Sequence, residues 1–127
     1  MSDRYKELKD LTTRFVDCFN RHDLDGIVGF FAEDGIYEDS KGDPHHGPEA
    51  IRKAFAPLVS GERGQIKFDD EDFFAEVDND KVMASWTLNM EVGGKPVKMR
   101  GLDVLQFRGD KLIKKLAYVK SASPRLD

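Results

Sequence analysis

Cysteine is almost absent from this chain: Cys18 stands alone, so no internal disulfide can form and thiolates cannot build a structural zinc site. No apolar run approaches the roughly 20 residues that cross a bilayer as a helix. Low-complexity tracts are missing, and so is a basic stripe. The 24 acidic and 20 basic residues are interspersed, and the net charge is −4. Aromatic residues make up 10% of the chain and do not alternate with Arg or Lys as a nucleic-acid platform requires. Nucleic acid and anionic membranes are therefore not the expected partners. The stretch Met1 to Leu11 is charged from Asp3 onward and lacks the apolar core of a secretory signal. The expectation is a soluble cytoplasmic protein.

What is present is enough for one ordinary domain over residues 1–127, at 39% hydrophobic and 35% charged. Leu8, Leu11, Phe15, Cys18 and Phe19 recur at spacings of three and four, which predicts an amphipathic helix over Asp3 to Asn20. Asp23 is a good N-cap for a second helix, expected to run to about Asp34-Gly35. A short strand over Ile36 to Asp39 follows, then a polar loop and a third helix from Pro48, a residue suited to the first helical position. After Gly61 the pattern changes to strands, at Ile66 to Val77, Lys81 to Val92, Pro96 to Phe107 and Lys111 to Val119. Gly93-Gly94 marks a tight hairpin between two of them. Ser121 to Asp127 reads as a frayed tail. Helices first and long antiparallel strands after indicate an α+β fold. Three N-terminal helices would pack on a strongly curved, mostly antiparallel sheet and enclose a conical apolar pocket, a favoured kind of ligand site.

Which polar groups face that cone follows from the strand period of two. Tyr37 and Asp39 share one face of the short strand. Gly101, Asp103, Leu105 and Phe107 share a face of the third long strand, and Trp86, Leu88 and Met90 a face of the second. An Asp among Gly, Leu and Phe would be desolvated, with its pKa raised toward neutrality at pH 7. The opposite register, with Leu102 and Val104 inside and Asp103 outside, satisfies the alternation equally. Asp39 also has a plain explanation, because Asp-Ser-Lys-Gly is an ordinary Asx-turn sequence.

Other groups carry less. His45 and His46 are adjacent and must point to opposite faces, so only one can join Asp39, too few ligands for a metal. His46 at the pocket mouth, beside Asp39 or a ligand, is a more plausible use of the pair, and the plainest reading is a pair of solvated loop histidines. Cys18 and His22 are four apart on a helix, but Cys18 lies in the apolar stripe, which suits an inert core thiol better than a nucleophile. The acidic run Asp69 to Asp72 reads as a solvated strand edge or a bulge.

The segment Arg14 to Phe55 carries N-x-x-D-L-D-G-I-V at Asn20 to Val28, Glu38-Asp39, P-x-x-G at Pro44 to Gly47, and A-I-R at Ala50 to Arg52. It resembles the opening of the bacterial 3-oxosteroid Δ5-isomerases (ketosteroid isomerases) of the nuclear-transport-factor-2-like superfamily. A second block, GLDVLQFRGDKL at Gly101 to Leu112, is similar to their hydrophobic-Asp-x-x-x-Phe strand. The likeness extends over about Arg14 to Val119. By resemblance, Asp39 falls on the general base that moves a proton between two substrate carbons. Asp103 falls on the oxyanion-hole acid, whose protonated state is that family's own property and not a deduction from this chain. The implied reaction needs neither metal nor organic cofactor, and the implied substrate is a small apolar carbonyl compound, steroid- or polyketide-like. A homodimer paired through the outer sheet face is likewise implied.

One departure matters. The isomerases place a second oxyanion donor, a tyrosine, where this chain has Phe15, and loss of one such donor costs on the order of 10²–10³ in rate. Tyr37, Tyr118 or the Trp86 indole are the replacement donors the sequence offers, and Phe15, Leu88 and Met90 are expected as apolar walls. The sister limonene epoxide hydrolases and polyketide cyclases place an acid on the last strand near Ala117; it is missing here, which disfavours both chemistries. The rival to an isomerase-like enzyme is a non-catalytic ligand-binding or dimeric interaction domain of the same superfamily.

Overall fold

The structure, a computed structural model, describes residues 3–121. Beyond Ser121, the tail expected to fray lies outside the described residues. Helix α1 (Asp3–Asn20) buries Leu8, Leu11, Phe15, Val16, Cys18 and Phe19 along the predicted stripe. Thr12 shares that stripe and satisfies its hydroxyl by donating to the Leu8 carbonyl at 2.7 Å. Asp23 caps α2 (Leu24–Gly29), accepting from the Gly26 amide at 2.9 Å.

That second helix is shorter than its apolar spacing predicts. It yields at Phe30, whose carbonyl accepts from the Leu112 amide at 2.8 Å as the chain enters β1 (Phe31–Glu38). Gly26 and Gly29 weaken the helix, so long-range pairing prevails over local periodicity. A further strand, β2 (Pro44–His46), turns the polar loop into a hairpin with β1, Tyr37 opposite His45. Helix α3 (Gly47–Val59) then buries Ile51, Phe55 and Val59.

The remaining strands are β3 (Lys67–Glu76), β4 (Lys81–Val92), β5 (Lys95–Arg108) and β6 (Lys111–Val119), joined in one sheet of order β2-β1-β6-β5-β4-β3. Only the β1–β6 pair among these is parallel. The acidic run Asp69 to Asp72 lies at an irregularity between Asp70 and Phe73, on the edge strand β3. Three helices and a six-stranded, mostly antiparallel open curved sheet thus make the expected α+β cone.

Packing closes one end of the cone and leaves the other thinner. Leu105, Phe107 and Leu112 are at most 2% exposed, with Phe15, Phe19 and Phe55 above them. Phe15 meets Phe19 edge-on at 5.2 Å between ring centroids, and Phe19 meets Phe55 at 5.1 Å. Toward the other end, Met90, Met99, Gly101, Ala117 and Val119 are only half-buried. Gly101 has no latitude: a Cβ there would stand 2.6 Å from the Trp86 ring and run into the Tyr118 carbonyl. Trp86 lies across the backbone of its partner strand because that position is bare.

Candidate active site

The register settles the ambiguity at Asp103. Asp103 pairs with Ala84 and Ala117, and Leu105 with Val82 and Lys115, so Asp103 shares the buried face with Leu105 and Phe107. Its residue exposure is 6%. The expected lone neutral acid, however, has a partner that the sequence reading left out. Lys115, 5% exposed, donates from Nζ to Asp103 Oδ1 at 2.7 Å. In that contact Nζ donates and Oδ1 accepts, so Lys115 and Asp103 reach the interior as a pair. Nζ also lies 5.3 Å from the Tyr37 ring centroid and 5.8 Å from that of Phe55.

Lys115 faces inward because of one extra residue. Gln106 pairs with Lys114 but Phe107 with Leu112, so Ile113 is unmatched and the alternation of β6 flips there. Read without the bulge, Leu112 inside puts Lys114 inside too. The available clue was Ala117: if the cyclases' acid position faces inward, Lys115, two residues earlier, must do the same.

Asp39 directly follows β1 and divides its two oxygens. Oδ1 accepts from the amides of Lys41 at 2.9 Å and Asp43 at 3.0 Å, which is the anticipated Asx turn. Oδ2 lies 2.9 Å from His45 Nε2. The turn and the site are therefore the same object. His45, not His46, is the histidine beside Asp39, because β2 pairs His45 with Tyr37 on the inner face. Burial opposes the charge on Asp39. The His45 hydrogen bond, the two amides and the His45 charge outweigh it and hold the carboxyl below its usual pKa.

Tyr37 lies between the two acidic positions. Its ring stacks on His45 at 5.5 Å and on Phe55 at 4.3 Å. Burial, then the charges of Asp103 and Asp39, push its hydroxyl far above the ordinary phenol pKa, so it remains a proton donor. Asp39, His45, Tyr37, Lys115 and Asp103 thus form a connected line on the inner surface.

The other predicted residues divide. Phe15, Trp86 and Leu88 are buried in the core, and half-buried Met90 packs against it. Trp86 Nε1 is buried without a hydrogen-bond partner among the described residues, so it retains a donor for an acceptor that enters the cone. Tyr118 is a correction: it pairs with outward-facing Leu102, is 51% exposed, and borders a hollow of about 450 Å³ on the outer sheet face. It cannot supply a hydroxyl to the interior. Cys18 is buried, burial raises its thiol pKa, and the His22 ring meets Gln65 instead. Among the described residues no group of three His, Cys, Asp or Glu side chains converges as a metal site. No helix among them is long and apolar enough to cross a membrane.

Residues 12–115 match the SnoaL-like domain family, and the chain belongs to it, within the same NTF2-like superfamily as the ketosteroid isomerases. Among solved structures, the chain is similar to SalBIII, described as an epoxide hydrolase/cyclase-like enzyme in pyran ring formation in the polyether salinomycin. That match has 22% identity, covers 94% of this chain and 95% of that one, and has a TM-score of 0.82. An NTF2-like protein of unknown function from Mesorhizobium loti matches at 22% identity, with 95% and 97% covered and a TM-score of 0.78. TerC, co-crystallised with polyporic acid, matches at 16% identity, with 90% and 92% covered and a TM-score of 0.76. At these identities the likeness is one of fold.

Proposed function

We propose that this SnoaL-like domain is a cofactor-independent, isomerase-like enzyme that shifts a proton next to the carbonyl group of a small, mostly apolar substrate. The reading is carried by one arrangement: a half-buried carboxylate at Asp39 and a buried ammonium–carboxylate pair at Lys115–Asp103, with Tyr37 between them. Asp39, kept ionised by His45 and the loop amides, takes the proton from the carbon beside the carbonyl. Charge then grows on the carbonyl oxygen, which Lys115 Nζ and the Tyr37 hydroxyl receive as donors; Asp103 holds Nζ in place. Asp39 returns the proton to another carbon of the conjugated system. This assigns the donor role, which the isomerase resemblance gives to Asp103, to the pair as a unit, and it offsets the missing hydroxyl at Phe15.

The pyran ring formation described for SalBIII and the polyporic acid co-crystallised with TerC support a cyclic, polyketide-like substrate as readily as a steroid-like one. Two copies would pair through the outer sheet face that carries Tyr118. The test offers β,γ-unsaturated ketones of several sizes and follows conjugation by ultraviolet absorbance. Turnover is expected to fall about 10²–10⁴-fold in Asp39→Asn. No turnover by the folded wild-type protein across the series overturns the enzyme reading. If ligands still bind, or bind tighter when Asp39 is neutralised, the domain is a binder.

A further inference from the structure

We propose that Lys115 is an amine catalyst that condenses covalently with the substrate carbonyl, with Asp103 relaying the protons. The inference rests on the proposed use of the cone as a carbonyl site, and it changes what happens at the carbonyl carbon. Lysine is almost never buried unless paired, and this one is paired only once. Its single hydrogen bond among the described residues goes to Asp103 Oδ1, and the Tyr37 and Phe55 rings lie on its other sides. Lysine amines form Schiff bases with carbonyl carbons, and here the adjacent carboxyl group can take the proton that the amine must give up. Lys115 pairs with fully buried Leu105 across the sheet and lies two residues before half-buried Ala117 on the same strand.

The steps balance within the pair. A proton passes from Nζ to Asp103 Oδ1, which frees the nitrogen electron pair to bond the carbonyl carbon. The C=O π electrons move to oxygen, which takes the proton from Asp103. The carboxylate then removes a proton from the nitrogen, giving a neutral carbinolamine. Asp103 hands that proton to the hydroxyl, the C–O bond breaks, and water leaves as nitrogen forms C=N. The sum is ammonium plus carbonyl giving a protonated iminium plus water, with Asp103 a carboxylate at start and end. The iminium is a stronger electron sink than a hydrogen-bonded carbonyl, and it acidifies the adjacent C–H that Asp39 would remove.

The experiment incubates the folded full chain with cyclohex-3-en-1-one and sodium cyanoborohydride, which reduces an iminium to a stable secondary amine. Intact-mass and peptide mapping then locate the label. The expected result is one added ketone-derived group on Lys115, absent in Lys115→Arg, which keeps a cation facing Asp103 but cannot form the adduct. No label on wild-type Lys115, or a label spread evenly over exposed lysines, overturns the proposal without reliance on any variant. Conjugation of the ketone is followed in parallel. Turnover without a label leaves the hydrogen-bonded reading standing and removes the covalent one. A label without turnover supports Lys115 chemistry and removes the proton shift.

Discussion

Two aspartates face the same interior, and their surroundings differ in almost every respect. Asp39 is anchored by local backbone: amides two and four residues ahead bind one oxygen, and His45 binds the other, at 23% side-chain exposure. Asp103 is anchored by a long side chain from the neighbouring strand, at 9% side-chain exposure, with Lys115 at 6%. A carboxylate stabilised by its own loop stays charged and near solvent, as a base requires. A carboxylate stabilised by a buried cation is locked to that cation, and the pair must be treated as one group.

The sharpest way to break the contrast is Lys115→Met. Stranding Asp103 in the interior should cost about 3–5 kcal/mol in urea unfolding. Adding Asp103→Leu should recover most of that loss, because an apolar pair of similar volume avoids the desolvation penalty. A double variant as unstable as the single one would show that packing, not the unpaired charge, was responsible. Next in size, Gly101→Ala should cost about 1–3 kcal/mol by forcing the Trp86 ring off the strand, read from the same unfolding curves.

At the mouth the effects are smaller. His45→Ala should raise the pKa of Asp39 toward or above its ordinary value, measured by carboxyl carbon NMR, with a stability cost below about 1 kcal/mol. The sign for acid unfolding follows from the lowered folded pKa. The contribution of Asp39 is fully present above its unfolded value near 3.9 and is lost as pH falls through the lower folded value. The acid limb of the stability profile below about pH 4 should therefore shrink in His45→Ala. An unchanged Asp39 titration would show that the loop amides suffice, and that His45 serves the Tyr37 stack alone.

Local chemistry was legible wherever it depended on neighbours in the chain. The stripe of α1, the Asp23 cap, the Gly93-Gly94 hairpin, the four long strands and the Asx turn at Asp39 all follow from spacing and residue type. The shared face of Asp39 and Tyr37 did too, because a strand of period two fixes relative faces. The sequence by itself determined the α+β order and which side chains of a strand share a face.

Tertiary structure decided the rest. Pairing of Phe30 and Phe31 with Leu112 ended α2 early, and strand β2 chose His45 over His46. Register put Asp103 inside and Tyr118 outside, a choice that alternation alone leaves even. One unmatched residue, Ile113, turned Lys115 inward and gave Asp103 its cation. Alternation fixes which side chains of a strand share a face, but which face turns inward, and what meets it there, is set by register and bulges against the neighbouring strand. That is why Asp39 and Asp103 stand out as candidates in the sequence while the lysine that pairs with Asp103 does not.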